Sequence, residues 1–460
     1  MFNISPYFIL AFSTNYIKRP SGSDNKLNVF GEVFRSNIIQ NFNKASEIKV
    51  ETAFFILEEV ALKIFKDRTY PLSISAFIEV IDKYNKDYDQ KINALNFIKD
   101  LEDCKILKPS IEKSQSYKFD NDNILAFFIA KKIIDLKEHP DVKQFLHHLI
   151  TFISFGINSE ILMFVIALRN DWDLLNLILA EVESQTKDWQ EFSFQQNNLS
   201  FLNNNIKTTV INAPTPRNKQ IVIDDREKHE RNVKNSQLKT IDIFDYTEKD
   251  LERFINLQTR AIKELTLIST LYSNFYYMIP AHSKNDFMDY IYKQPNKIIY
   301  YMLSPFDENF NEFIDGLYNE LSEENKNLQK NDLIDIFIKI SELVILNVYW
   351  SSSQHVGSDE TIDSLIKYVD KSQSTNNEIQ LILTLDSMER LNQFGKRVES
   401  LDRQTSLSII KDMVKNMVYH YFLTHDVPLK DYGQHLAATY FKNNKKLLKQ
   451  VQNRSLRKNR

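Results

Sequence analysis

Tyr117-Lys118-Phe119-Asp120-Asn121-Asp122-Asn123-Ile124-Leu125-Ala126-Phe127-Phe128-Ile129-Ala130-Lys131-Lys132-Ile133-Ile134 is the stretch of this 460-residue chain that decides its fold. Its first three residues alternate aromatic and charged, which suits a short strand. Four Asp and Asn residues then form a polar turn, the composition that starts helices. From Asn123 onward an apolar, aromatic-rich run reads as a helix.

Upstream of it lie three amphipathic helices of modest length. Phe54, Leu57, Val60, Ala61, Ile64 and Phe65 share one helical face, and Ile74, Phe77, Ile78, Ile81 and Tyr84 share another. A third helix carries Ile92, Leu95, Ile98 and Leu101. Ile106-Leu107 and Tyr117-Lys118-Phe119 read as two short strands flanking a polar wing, residues 108–116. Three helices followed by a two-stranded wing is winged-helix order.

Downstream, helical pattern continues to about Val182, broken at His139-Pro140 because proline ends or kinks a helix. Residues 185–246 change character, with clustered asparagines, Pro214, Pro216 and a charged run from Asp224 to Arg231. They read as a linker or long mobile insertion. Beyond Thr247, Leu251, Phe254, Gln258, Ala261, Leu265, Ile268, Tyr272 and Phe275 form one seam at steps of three and four. Such a seam packs inside its own domain or pairs with a partner helix; the short intervals to later helices favour the first. Those helices fall near 284–303, 307–324, 331–350, 359–371, 377–394 and 404–424, with no fixed repeat period. The expected fold class is mainly all-α, a winged-helix-like unit followed by irregular helical-array domains. Its divisions are 1–49 (N-terminal helical segment), 50–120 (winged-helix-like), 121–184 (helical arm), 185–246 (linker) and 247–460 (C-terminal helical domain with a basic tail).

Composition narrows the chemistry. The chain has seven glycines, where average usage would give about thirty. Glycine allows backbone to approach phosphate closely, so its scarcity counts against phosphate-cradling loops. Neither G-x-G-x-x-G nor G-x-x-x-x-G-K-[ST] occurs. The one cysteine, Cys104, suits a reducing cytosol and reads as buried and inert. The most apolar window, Leu149 to Leu168, is interrupted by Gly156, Asn158 and Glu160 and reads as two buried helical pieces, not a membrane span. A cytoplasmic protein is the expectation.

No catalytic or metal set emerges. His147 and His148 are adjacent and point apart on a helix, while His420 and His425 are five apart, off the i, i+4 face of a zincin pair. There is no H-E-x-x-H and no G-x-S-x-G. Arg226, Lys228 and His229 cluster, but in the segment read as a mobile linker. Winged helices often read DNA with a basic third helix; here residues 91–103 set two lysines, Lys91 and Lys99, against Asp100, Glu102 and Asp103, an acidic close that repels phosphate. A better basic candidate is the tail, with Lys442, Lys445, Lys446, Lys449, Arg454, Arg457, Lys458 and Arg460 and no acid after Asp431. These side chains are the candidate nucleic-acid or partner contacts, beside the plain reading of a solvated helix end.

Phe127-Phe128-Ile129-Ala130-Lys131 resembles the centre of a motif common in bacterial NACHT-like STAND proteins, the signal-transduction ATPases. There a winged helix ends in an aromatic strand, followed by a helix of the type Tyr/Phe-Phe-Val-Ala-Lys/Arg-Tyr-Leu. Tyr117-Lys118-Phe119 matches the strand, and Lys132 stands where an aromatic is common. Ser159 to Leu168 looks like the next helix of these families, and Met417 to Pro428, with its His-Asp-Val-Pro turn, echoes their far C-terminus. Ser5-Pro6-Tyr7-Phe8-Ile9-Leu10 looks like the helix start just beyond a STAND nucleotide site, which implies that Pro6 lies near the adenine.

The resemblance, over roughly 50–185 and 250–460, implies a chain that starts where the ATPase core ends: a C-terminal fragment, a split gene's second half, or a degenerate relative. It implies that no cofactor is bound by this chain alone, and ATP with Mg²⁺ only alongside a separate NTPase core. The implied function is a non-catalytic regulatory and sensor portion of a STAND-type signalling protein in antiphage defence. Protein partners, self-association or an upstream P-loop ATPase half would be its contacts, with no membrane. The alternative is a winged-helix nucleic-acid-binding regulator that uses the basic tail, and a third reading is an enzyme with an unrecognised helical site.

Overall fold

The computed structural model describes residues 35–204, 211–221, 254–322 and 329–441, apart from short breaks at 37, 41, 44–45, 47, 112, 137–139, 154–155, 170–171, 216–217, 219 and 428–430. Among them the chain is mainly α-helical, with one small three-stranded sheet. They fall into two compact units.

The first unit opens with α1 (Val50–Asp67), whose expected face is buried throughout, joined by Ala53 and Ile56. β1 (Leu72–Ser73) leads into α2 (Ile74–Asp87), where the Ser73 hydroxyl accepts from the Ala76 amide as an N-cap. α3 (Ala94–Asp103) starts on an Asn93 cap. β2 (Leu107–Pro109) and β3 (Ser116–Phe119) pair antiparallel, with Leu107 opposite Phe119 and Lys108 opposite Lys118. β1 adds to the other edge of β3, placing Leu72 opposite Tyr117, so the sheet order is β1-β3-β2. The element order is thus helix, strand, helix, helix, strand, strand.

Two local readings change. β1 is a third strand that the pattern did not announce, since two residues after Pro71 carry no alternation. Leu95, expected on the buried face of α3, is 59% exposed; Ile98 and Leu101 of that face are buried, and Phe97 joins them. Phe97 pulls the stripe round, its ring lying edge-on to Phe42.

α4 (Asp122–Asp135) begins where the polar turn predicts, with the Asn121 side chain accepting from the Ile124 amide. Ile124 to Ala130 are all buried, so this helix is apolar all round and packs against both α1 and α6. α5 (Pro140–Thr151), α6 (Asn158–Arg169) and α7 (Trp172–Gln185) follow, α5 starting at the predicted proline.

α8 (Phe254–Phe275) contributes to both units: its residues through Glu264 cluster with the first, and Leu265–Phe275 with the second. The single domain expected from residue 247 onward is therefore divided. In the first unit Arg260 Nε donates to Glu264 Oε1 at 2.7 Å, both side chains buried. In the second, Leu265, Ile268, Tyr272 and Phe275 are fully buried, so this part of the seam packs within the chain.

The second unit continues with α9 (Lys284–Asp307), α10 (Phe310–Ser322), α11 (Lys330–Val356), α12 (Ile362–Ser372), α13 (Thr375–Ser387), α14 (Leu391–Gln404), α15 (Ser408–Thr424) and α16 (Asp431–Tyr440). The single helix expected over 377–394 is two, divided at Met388–Arg390, where Glu389 takes a left-handed φ of 57°. Pro295 sits inside α9 and offers no amide to the carbonyl of Ile291. The Gln380 side chain of α13 donates to that carbonyl at 2.9 Å, satisfying a group that burial would otherwise strand.

Residues 186–204, placed by composition in a linker, are packed in the second unit. Phe192, Phe194, Leu199, Phe201 and Leu202 are buried, and Trp189 stacks on Tyr301 at 4.2 Å. The Asn376 side chain donates to the Phe192 carbonyl at 3.2 Å and accepts from the Phe194 amide at 3.1 Å. The same amide group donates to Asn296 Oδ1 (3.0 Å) and Tyr349 Oη (2.8 Å). This segment straps across the helices. The rest of the expected linker lies mostly outside the described residues.

Candidate functional site

The quoted motif places its two lysines on one side of α4, against α1. Lys131 Nζ lies 2.5 Å from Glu58 Oε1 and 3.6 Å from Asp135 Oδ2, and Lys132 Nζ lies 2.5 Å from Glu59 Oε1. Glu58 is 3% exposed. Desolvation raises its carboxyl from the ordinary 4.5 to about 7, although Lys131 favours the charged form. Each lysine also covers a ring of α1, Lys131 over Phe54 at 5.9 Å and Lys132 over Phe55 at 5.1 Å. Beneath them Phe54 meets Phe127 and Phe128 edge-on, and Phe127 meets Phe164 of α6. Lys132, the departure from the resembled motif, thus has its own partners in Glu59 and the Phe55 ring.

This junction is chemically a clasp, an apolar seam closed at its rim by two ion pairs. It joins α1 to the helix that leaves the sheet. Nothing in it is arranged for bond making.

A second cluster was invisible in sequence. Asp386 of α13 is wholly buried, and its two carboxylate oxygens lie 2.8 Å from His420 Nδ1 and 2.8 Å from His425 Nε2. His420 stands on α15, and the turn after α15 folds His425 back beside it. The five-residue spacing that rules out one helical face does not rule out convergence from a helix and its following turn. Trp350 packs edge-on against His420 and Tyr421 against His425. Two further buried carboxyls stand apart from it. Desolvation raises Glu264 to about 7 against the pull of Arg260, and raises Glu342 to about 7 against the hydrogen bond from Asn416, with Asp412 adding to the rise.

Among the described residues no group of three His, Cys, Asp or Glu side chains is disposed to hold a metal ion. Cys104 is buried, and desolvation pushes its thiol up to about 11, away from thiolate reactivity. A cavity lined by Phe192, Phe194, Leu199, Leu202, Leu407 and Ile409 is of about water size. No helix among the described residues is long and apolar enough to cross a membrane. Pro6 and the basic residues Lys442, Lys445, Lys446, Lys449, Arg454, Arg457 and Lys458 lie outside the described residues, as does the cluster Arg226, Lys228 and His229.

Residues 70–129 match the family model described as Novel STAND NTPase 4. The matched stretch runs from just before β1 through the sheet and into the first half of α4, and it supports a STAND NTPase family relationship. No curated protein and no solved structure matches the chain.

Proposed function

We propose that this chain is the regulatory and sensor portion of a STAND-type signalling protein. Residues 50–185 act as its switch arm, and the helices beyond residue 265 as its sensing platform. The observation that carries the reading is the match over 70–129, which begins after α1, covers β1, α2, α3, β2 and β3, and ends inside α4. A winged helix in this position, with α4 clasped to α1, supports a rigid arm that swings as one piece. The chain acts through protein contacts and conformational change, in bacterial antiphage defence. ATP and Mg²⁺ enter through a separate NTPase core, and Pro6 borders the adenine there.

The test looks for a P-loop ATPase gene beside this one, co-expresses the pair, and reads nucleotide-dependent assembly by light scattering. Co-purification of the two, with ATP-dependent growth in mass that Lys131→Glu shifts, is the expected result. A chain that co-purifies with no P-loop ATPase and assembles identically with and without ATP sinks the proposal.

The basic tail favours a second reading, a nucleic-acid-binding regulator. The exposed side of α3 offers little to phosphate, since it presents Leu95, Asn96, Lys99 and Asp103. Anisotropy at low salt, with and without residues 442–460, separates the two: salt-sensitive binding that vanishes with the tail supports the nucleic-acid reading.

A further inference from the structure

The second unit carries an unusual combination on one helix pair. From Asp307 to Glu324 the sequence holds seven acidic residues and no Lys or Arg. On α10 and just before it, Glu308, Glu312, Asp315 and Glu320 are all exposed, and of these Asp315 pairs with Lys330 of α11 at 2.5 Å. α11 packs alongside, and its outer side shows Ile336, Ile340 and Leu343, which are 50%, 52% and 56% exposed. Leu321 of α10 is 41% exposed. Large apolar side chains at i, i+4 and i+7 are the anchors that a helix face presents to a partner segment. Isolated exposed leucines need no explanation, but a stripe at this spacing beside an acidic helix does.

We propose that the α10–α11 face is the docking site of this chain's own C-terminal segment, residues 442–460. Charge complementarity selects the occupant: that segment has eight Lys and Arg residues and no acid. It also carries the matching apolar set, Leu447, Leu448 and Val451, at i, i+1 and i+4, with Lys445, Lys446 and Lys449 interspersed. The tether is short. Phe441, the residue before the segment, packs edge-on against Phe422 of α15, and α15 is joined to α11 by the Asn416–Glu342 hydrogen bond of 2.5 Å. Nineteen residues starting one helix away have ample reach, since an extended chain covers about 3.3–3.6 Å per residue. Tethering of this kind gives an effective concentration of about millimolar, so modest contacts suffice. The docked state neutralises the acidic helix and covers the stripe; the released state frees eight basic side chains for another polyanion. The proposal stands independently of the STAND reading.

The experiment uses the full chain with photo-reactive benzoylphenylalanine in place of Ile340 or, separately, Leu343, and maps adducts by mass spectrometry. The expected result is an intrachain adduct on residues 442–460. It falls at least fivefold in Glu312→Lys/Asp315→Lys/Glu320→Lys and returns when Lys445→Glu/Lys446→Glu/Lys449→Glu is added. Circular dichroism checks that each variant keeps its helices. Adducts on α11 of a second copy, adducts elsewhere in the chain, or no protein adduct overturn it.

Discussion

Glu58 of α1 and Lys131 of α4 form a 2.5 Å ion pair in which the carboxylate is buried and the ammonium only partly so. The asymmetry makes the pair costly to break from one side. Lys131→Met strands a buried carboxylate, for which a loss of about 3 kcal/mol is expected, reduced by whatever proton uptake relieves it. Glu58→Gln with Lys131→Met should recover most of that loss. Urea unfolding of the four members of the cycle measures the coupling; additive single effects contradict a clasp.

Burial holds the carboxyls of Glu58, Glu264 and Glu342 at about 7, against the ordinary 4.5. A raised folded-state value means the folded chain binds the extra proton, so this stabilisation is complete below about 4.5 and is lost as pH rises through about 7. The thermal midpoint should therefore fall between about pH 5 and pH 8, with each group contributing at most about 3 kcal/mol. Glu342→Gln, which imitates the protonated form, should flatten the slope of the second unit's transition. A midpoint that rises over that range in the parent chain, or an unchanged slope in the variant, refutes this.

Asp386→Ala removes the acceptor shared by His420 and His425 and leaves a space in a wholly buried position. Two orphaned imidazole contacts and the lost packing should cost about 2–4 kcal/mol, read as a lower midpoint for the second unit. Asp386→Asn keeps the shape and can still accept from one ring, so its loss should be smaller. Equal losses for both variants would show that shape, not hydrogen bonding, governs the position.

Gly395 of α14 lies so close to α16 that an added methyl would overlap the ring of Tyr432 and approach Leu436. Gly395→Ala should raise helix propensity yet still destabilise, by about 1–3 kcal/mol, through displacement of α16. Hydrogen exchange over residues 432–440 should accelerate while α13 stays protected. Unchanged exchange in that window counts against the close packing.

The first unit was readable because its helices obey strict spacing. Every residue assigned to the inner face of α1 is buried, and the polar turn at Asp120–Asn123 caps α4 where composition placed it. On α3 the expected Ile98 and Leu101 are buried, but Leu95 is exposed and Phe97 takes its place, because a short helix offers two overlapping stripes equally well. Residues 186–204 looked like a linker because their asparagines suggest loops. In the structure those asparagines serve the chain's own backbone: Asn198 accepts from the Ser193 amide and donates to the Glu191 carbonyl. Buried phenylalanines without helical period then anchor the segment. The Asp386 cluster and the Gln380–Ile291 contact join residues 34 to 89 positions apart, and no local pattern encodes such meetings.

Asn376 hydrogen-bonds main-chain atoms of the strap it grips, the carbonyl of Phe192 and the amide of Phe194. Such a grip is blind to side-chain identity. The phenylalanines hold the ribbon by burial, while the asparagine fixes its backbone, because a planar group with a donor beside an acceptor can hold both ends at once.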